Sequence, residues 1–196
     1  MDSDFFGSCR AVQKHPLTTT PPITGVGIDV GGVRKGFHAV ALRDGVYAGQ
    51  LGTGDVQELA DWCRSVVGAS VIAIDAPCRW SSDGRARPCE RELMRQGICC
   101  FETFPHAITW HLRNGEAKAR QKRPQRTALL AQAGITTAPL TSIDWIDAAL
   151  CALAAHRVAS GAACRAYGEP ESGLIVVPER PGAPDETGLD RPNLSV

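Results

Sequence analysis

The strongest constraint on the fold is a pair of short apolar segments that an Asp-Gly dipeptide joins in the first third of the chain. The segments GFHAVALRD and VYAGQL meet at Asp44-Gly45, and Asp-Gly between two strand-like segments is a strong signal for a β-hairpin. The preceding segment, GVGIDVGG, alternates Val and Ile with Gly and Asp29, which is typical of a strand with one apolar face. The folded part is therefore predicted to begin with three antiparallel strands.

Helical and strand-like segments then follow in an order that favours an α/β fold. Asp55 and Ser142 precede two helical patterns, and both residue types are favoured at helix N-caps. Two further helices are predicted for CERELMRQG and RTALLAQAG, and buried strands are predicted for VIAIDAP and ICCFETF. A hairpin or two short strands are predicted for CRAYGEPESGLIVVP. This order predicts a mixed sheet, antiparallel in its first three strands and extended by parallel crossovers, with helices flanking it.

The composition along the chain suggests domain limits and excludes several protein classes. We expect a flexible N-terminal arm over residues 1–22, one domain over residues 23–178 and a disordered C-terminal tail over residues 179–196, where Pro, Gly and acids accumulate. The longest apolar run, Ala148–Ala155, is far shorter than a membrane span. The N-terminus has no apolar signal-peptide region. A cytoplasmic protein without a membrane partner is therefore expected.

Charge and cysteine content point to no single function. Lys and Arg number 21, as do Asp and Glu, so the chain has no overall basic excess that would indicate nucleic-acid binding. Basic residues are instead concentrated locally, with six Lys or Arg against one Glu over residues 111–126. The eight cysteines form no CxxC pair, which favours reduced thiols. A zinc site of Cys78, Cys89 and His106 stays open as an alternative, although its spacing matches no standard zinc module.

Four carboxylates are candidate catalytic residues because each lies in a segment where an ionised group is costly. Asp29 lies in a strand among glycines, Asp75 ends an apolar strand, Glu102 lies inside CCFETF, and Asp147 lies on an Ala-rich helix. Buried carboxylates need a cation, hydrogen bonds or a raised pKa. Strand ends in an α/β sheet face a common crevice, so we predict a metal site of Asp29, Asp75 and Asp147. Asp144, on the same helical face as Asp147, is a further candidate ligand.

Basic residues near these carboxylates are candidate substrate contacts. An Arg-rich loop follows Asp75, and local rather than global basicity suits a protein that contacts a few phosphates. The candidate substrate-binding residues are Lys35, Arg79, Arg87, Lys118, Arg120 and Arg123. The glycines of GVGIDVGG leave two interpretations open, which are close approach of a substrate phosphate and close packing of a helix.

Six segments resemble, in order, the predicted-nuclease family called domain of unknown function 429, which is assigned a ribonuclease H-like fold. They are GIDVGGVRKGFHAVAL, VIAIDAPCRW, RPCERELMRQGI, FETFPHA, IDWIDAALCALAAHRVASG and YGEPESGLIVVP. The resemblance implies a mixed five-stranded sheet with carboxylates on the first strand, the fourth strand and the final helix, here Asp29, Asp75 and Asp147. In such proteins the carboxylates hold two Mg²⁺ or Mn²⁺ ions. We expect Asp29 to bridge both ions, while Asp75 and Asp147 each bind one.

The predicted function is therefore metal-dependent hydrolysis of phosphodiester bonds in DNA or RNA, by a monomer or a dimer. Two other classes stay open. GIDVGGVRKG resembles the first phosphate-binding hairpin of sugar kinases and related ATPases, which indicates a nucleotide phosphotransferase, although those proteins clamp ATP between two such domains. The other class is a non-catalytic ribonuclease H-like scaffold, whose acids serve folding or partner binding.

Overall fold

Seven strands form one mixed sheet within residues 21–75, 98–169 and 173–180, which are the parts of the chain that this computed structural model describes. The strands are β1 (Thr24–Val30), β2 (Phe37–Arg43), β3 (Val46–Thr53), β4 (Val71–Asp75), β5 (Cys99–Thr103), β6 (Cys164–Glu169) and β7 (Gly173–Pro178). Their order across the sheet is β3-β2-β1-β4-β5-β7-β6.

The strand directions confirm the predicted fold class. The first three strands are antiparallel, β1, β4, β5 and β7 run parallel, and β6 returns antiparallel to β7. The fold is thus an α/β, ribonuclease H-like arrangement. It has two strands more than the implied five, because the C-terminal hairpin extends the sheet beyond β5. The Asp44-Gly45 hairpin also forms, with φ values of 49° and 80° at these two residues, as a tight hairpin turn requires.

Five helices accompany the sheet within the described ranges. They are α1 (Gly32–Lys35), α2 (Val56–Asp61), α3 (Pro105–Leu112), α4 (Lys122–Gln132) and α5 (Ile143–Ala159). A π-helical turn over Trp62–Val66 extends α2, and a 3₁₀ turn over Ala119–Gln121 precedes α4. Among these helices, none is long and apolar enough to cross a bilayer.

Two of these helices begin where the sequence predicts. The Asp55 side chain accepts hydrogen bonds from the backbone N–H groups of Gln57 and Glu58, and the Ser142 hydroxyl accepts one from that of Trp145. The sequence predicts only a strand that ends before Pro105, whereas in the structure Pro105 begins α3. Proline also fits the first turn of a helix, where its missing N–H has no intrahelical acceptor.

Several sequence predictions fall outside the described residues. They concern most of the N-terminal arm, nearly all of the C-terminal tail and the helix predicted for CERELMRQG.

Helices pack on both faces of the sheet, and α5 is the central one. The α2 side has a core around Val26, Ile28 and Ile72, whereas α3, α4 and α5 share a core on the other side. α5 is buried continuously from Ile146 to Ala155, which explains its apolar and Ala-rich sequence.

The glycines of β1 allow α5 to lie directly on the sheet. A Cβ atom at Gly27 would lie 2.0 Å from both the Ala148 carbonyl oxygen and the Ala152 backbone nitrogen. A Cβ atom at Gly25 would lie 2.5 Å from the His156 backbone nitrogen. Real Cβ atoms do not approach backbone so closely. These glycines therefore serve close helix packing, which is the second of the two interpretations that the sequence leaves open.

Candidate active site

Asp29 and Asp75 lie side by side at the carboxyl ends of two parallel strands. They are register partners in β1 and β4. Asp29 shares its face of β1 with Gly25 and Gly27, and α5 covers these two glycines. On β4, Asp75 shares its face with Ala73, which packs against Cys151 of α5. Both carboxyl groups therefore lie on the α5 face of the sheet.

The N-terminal part of α5 brings further carboxylates to the same place. α5 runs antiparallel to β1, since His156 lies over Gly25 and Ala148 lies over Gly27. Asp144 and Asp147 precede Ala148 and hence lie toward Asp29. The structure thus brings together Asp29, Asp75 and Asp147, the three residues that the sequence predicts to converge, with Asp144 beside them.

Burial and mutual repulsion make it unfavourable for these carboxyl groups to ionise. Burial raises the pKa of Asp29 to about 7, and the negative charges of Asp75, Asp147 and Asp144 add to the rise. Burial raises the pKa of Asp75 to about 6, with the negative charge of Asp147 adding to the rise and the positive charge of Arg126 opposing it. The cluster thus retains protons near neutral pH unless a cation compensates its charge.

Two cationic side chains pair with the carboxylates of α5. Arg126 of α4 donates a hydrogen bond through Nη1 to Oδ1 of Asp147, and both residues are buried, at 5% and 8% exposure. Burial raises the pKa of Asp147, whereas the charges of Arg126 and Lys122 lower it. Lys35 Nζ lies 3.0 Å from both carboxylate oxygens of Asp144. No ion pair within the described ranges reaches Asp29.

His38 extends the row of side chains across the sheet, and the sequence analysis did not identify it. It is the register partner of Asp29 on β2. Its ring packs edge-to-face against Trp145 of α5, with 4.6 Å between the ring centroids. Its Nδ1 atom is buried and has no hydrogen-bond partner among the described residues. His38 can be recognised as a neighbour of Asp29 only if the register between β1 and β2 is known. The sequence of the GGVRKG turn between these strands does not determine that register.

Glu102 does not join the cluster. Its register partner on β4 is Ile74, which packs in the core on the α2 side. Because side chains alternate along a strand, Thr103 rather than Glu102 follows Asp75 in the row on the α5 face. The sequence places Glu102 correctly in a strand. A shift of one residue in the pairing of β5 with β4 would have put its side chain on the α5 face, beside Asp75.

The predicted substrate-binding residues lie in two regions. Lys118, Arg120 and Arg123 are exposed around the N-terminal end of α4, where Arg123 donates a 2.7 Å hydrogen bond to the Thr141 carbonyl oxygen. Arg79 and Arg87 lie outside the described residues. So do Cys78 and Cys89 of the alternative zinc site.

The donor set of the cluster fits a hard divalent cation. Carboxylate oxygens are the ligands that Mg²⁺ and Mn²⁺ prefer, and Asp29 and Asp75 are register partners on adjacent strands. In residues 21–75, 98–169 and 173–180, however, no group of three or more His, Cys, Asp or Glu side chains is placed to hold an ion together. Asp147, the third carboxylate, is paired with Arg126. Asp29 and Asp75 are therefore the carboxylates of the cluster that no ion pair within the described ranges engages.

Fold and site together define a ribonuclease H-like α/β protein with a buried carboxylate cluster between the sheet and its central helix. A family profile described as Protein of unknown function (DUF429) matches residues 27–101 and 94–172. These ranges cover more than half of the chain, which therefore belongs to that family.

Other comparisons give a distant structural similarity. No curated protein matches the chain. Among solved structures, the chain is similar to RuvC from Thermus thermophilus, with 15% sequence identity and a TM-score of 0.45. The similarity covers 71% of this chain and 97% of that chain.

Proposed function

We propose that this protein is a metal-dependent nuclease that hydrolyses phosphodiester bonds in DNA or RNA. The observation that carries the proposal is the convergence of Asp29, Asp75 and Asp147 from β1, β4 and α5. An all-oxygen cluster beside cationic side chains suits a reaction that needs a divalent ion and binds a polyanion. The nuclease prediction for the family points the same way.

Asp29 and Asp75 would hold the ion, for which we expect Mg²⁺ or Mn²⁺. When bound, such an ion polarises a phosphoryl oxygen and lowers the pKa of its bound water. Both residues belong to paired strands at the centre of the sheet, so their carboxyl groups are held in place before the ion arrives. Arg126 of α4 holds the Asp147 carboxylate of α5 by a hydrogen bond.

The basic side chains around α4 would bind the nucleic-acid backbone. Lys122 and Arg126 are four residues apart on α4 and share a helical face. The Lys122 charge acts on Asp147, so this face lies toward the cluster. Lys118, Arg120 and Arg123 continue the positive surface into solvent. Phosphates bound here would lie next to the carboxylates.

The nucleotide-phosphotransferase alternative has less support than the nuclease. Gly27, the first glycine of GIDVGGVRKG, lies against the backbone of α5, so it leaves no space for a phosphate at that position. The cytoplasmic location and the monomeric or dimeric state stay predictions from the sequence.

A cleavage assay with matched aspartate variants tests the proposal. Labelled single-stranded, duplex and branched DNA, and RNA, are incubated with Mg²⁺ or Mn²⁺ and the wild type, Asp29→Asn, Asp75→Asn or Asp61→Asn. Asp61 is the control, because it is half exposed and pairs with Arg64 of the π-helical turn that follows α2. We expect metal-dependent cleavage that falls by at least about 100-fold in the first two variants and persists in Asp61→Asn. Metal binding without cleavage of any substrate would favour the non-catalytic scaffold instead.

A further inference from the structure

We infer that Asp29 and Asp75 form a site for a single divalent cation, and that the Arg126 guanidinium takes the place of a second cation at Asp147. The inference rests on the proposed function for the identity of the metal. It departs from the two-ion arrangement that the family resemblance implies.

The first step is the environment of Asp147. Its partner Arg126 is 5% exposed and cannot lose its proton in a protein. A metal ion that approached Asp147 would meet this fixed positive charge. Separation of a buried ion pair also leaves an uncompensated charge inside the protein. A second metal ion therefore has to displace Arg126 before it can bind.

The second step is that Arg126 is built into the fold and is not a mobile surface side chain. The neighbouring α4 residues Leu129 and Leu130 are buried in the core shared with α5. Gln125, also buried, accepts a 2.9 Å hydrogen bond from the backbone N–H of Lys118 and so anchors the start of α4. Arg126 Nε is buried and has no hydrogen-bond partner among the described residues. The charge of Asp147 is therefore the main interaction that compensates this guanidinium.

The third step is the charge count of the cluster. Four carboxylates converge, and Arg126 and Lys35 pair with Asp147 and Asp144. The remaining carboxylates, Asp29 and Asp75, carry two negative charges when ionised. They are register partners on adjacent parallel strands, so one divalent ion bound between them would neutralise both. A second ion would find no unpaired carboxylate among the described residues of the cluster.

Mn²⁺ titration of the full-length protein without nucleic acid tests the inference. The stoichiometry is measured by calorimetry and by electron paramagnetic resonance of the unbound ion. We expect one ion per chain in the wild type. Asp29→Asn should weaken binding by at least about 100-fold, whereas Asp144→Asn, the same chemical change at a Lys35-paired carboxylate, should change it by less than about tenfold. Two ions per chain, none, or equal effects of the two variants would overturn the inference.

Arg126→Gln tests the role of the guanidinium, with circular dichroism as the check on folding. Because the variant frees Asp147, we expect a second bound Mn²⁺ or at least about tenfold tighter binding of the first, whereas Arg126→Lys should keep a single ion. Unchanged binding in a folded Arg126→Gln protein would overturn the assignment. If that variant does not fold, the comparison of Asp29→Asn with Asp144→Asn decides the inference.

The ion count is independent of cleavage, so the two proposals can fail separately. One bound ion without cleavage of any substrate would contradict the proposed nuclease and leave the inference intact. Two bound ions in an active enzyme would contradict the inference alone.

Discussion

Asp29 and Asp75 are register partners on two parallel strands, and their carboxyl groups lie side by side on the face of the sheet that α5 covers. Gly25 and Gly27 let α5 approach that face closely, and the approach brings Asp147 to the same place. The glycines and the single carboxylate of β1 thus act together, because the glycines set how closely the helix that completes the cluster packs on the sheet.

The pH dependence of stability follows from the raised pKa of Asp29. This carboxyl group binds its proton more tightly in the folded protein, where its pKa is about 7, than in the unfolded chain, where it has the ordinary aspartate value of 3.8. Between pH 3.8 and about pH 7 the folded state holds more protons than the unfolded state. The free energy of unfolding therefore falls as the pH rises through this range. The Asp29→Asn substitution removes the contribution of this carboxyl group to the pH dependence of stability.

We therefore expect Asp29→Asn to exceed the wild type in unfolding free energy by about 1–2 kcal/mol near pH 8 and to match it near pH 4. The gain is smaller than the full pKa shift implies, because the carboxyl group is partly exposed and water screens it. Urea unfolding in EDTA across this pH range measures both proteins. A difference that does not change with pH would contradict the electrostatic explanation.

The Arg126–Asp147 pair predicts an asymmetric mutational effect. Arg126→Met leaves Asp147 ionisable beside three other carboxylates, so we expect a loss of about 3 kcal/mol in unfolding free energy at neutral pH. Asp147→Leu should cost less, because it also relieves the repulsion on Asp29 and Asp75. The double variant should lie within about 1 kcal/mol of the wild type.

Chemical denaturation of the four proteins gives the coupling energy of the pair directly. Arg120→Met is the matched control, since Arg120 is exposed. If Arg126→Met is no more destabilising than Arg120→Met, then the buried pair has no structural role.

The contact between β1 and α5 predicts that Gly27 tolerates no side chain. The added methyl group of Gly27→Ala would lie 2.0 Å from the backbone of α5, so the helix has to move away from the sheet. We expect a loss of at least about 3 kcal/mol in the free energy of unfolding. At Gly54 a Cβ atom would meet nothing within 4 Å, so Gly54→Ala is the control. Equal stability of the two variants would mean that α5 accommodates the methyl group.

Much of this site was predictable from the sequence because burial leaves a local signal. Asp29, Asp75 and Asp147 are each flanked by apolar or small residues, and an ionisable group in such a segment is costly wherever the segment packs. The α5 pattern and its Ser142 cap also predicted the helix that carries Asp147.

The parts that were not predictable depend on contacts between distant segments. Glu102 lies in an equally apolar segment, and only its pairing with Ile74 places it on the other face. Arg126 belongs to a basic stretch that is typical of a solvated surface, whereas the packing of α4 against α5 buries it beside Asp147. Neither register nor helix packing is encoded within a short window of sequence.

The basic end of α4 predicts a salt-dependent interaction with nucleic acid. If Lys118, Arg120 and Arg123 each contact a phosphate, replacement of all three by Ala should make the slope of log K against log salt concentration shallower by about 2 to 3 units. Fluorescence anisotropy with labelled single-stranded and duplex DNA, in Ca²⁺ to limit cleavage, measures the slope. Arg64→Ala, on the α2 side of the sheet and half exposed, should leave it unchanged. An unchanged slope in the triple variant would move the nucleic-acid surface away from α4.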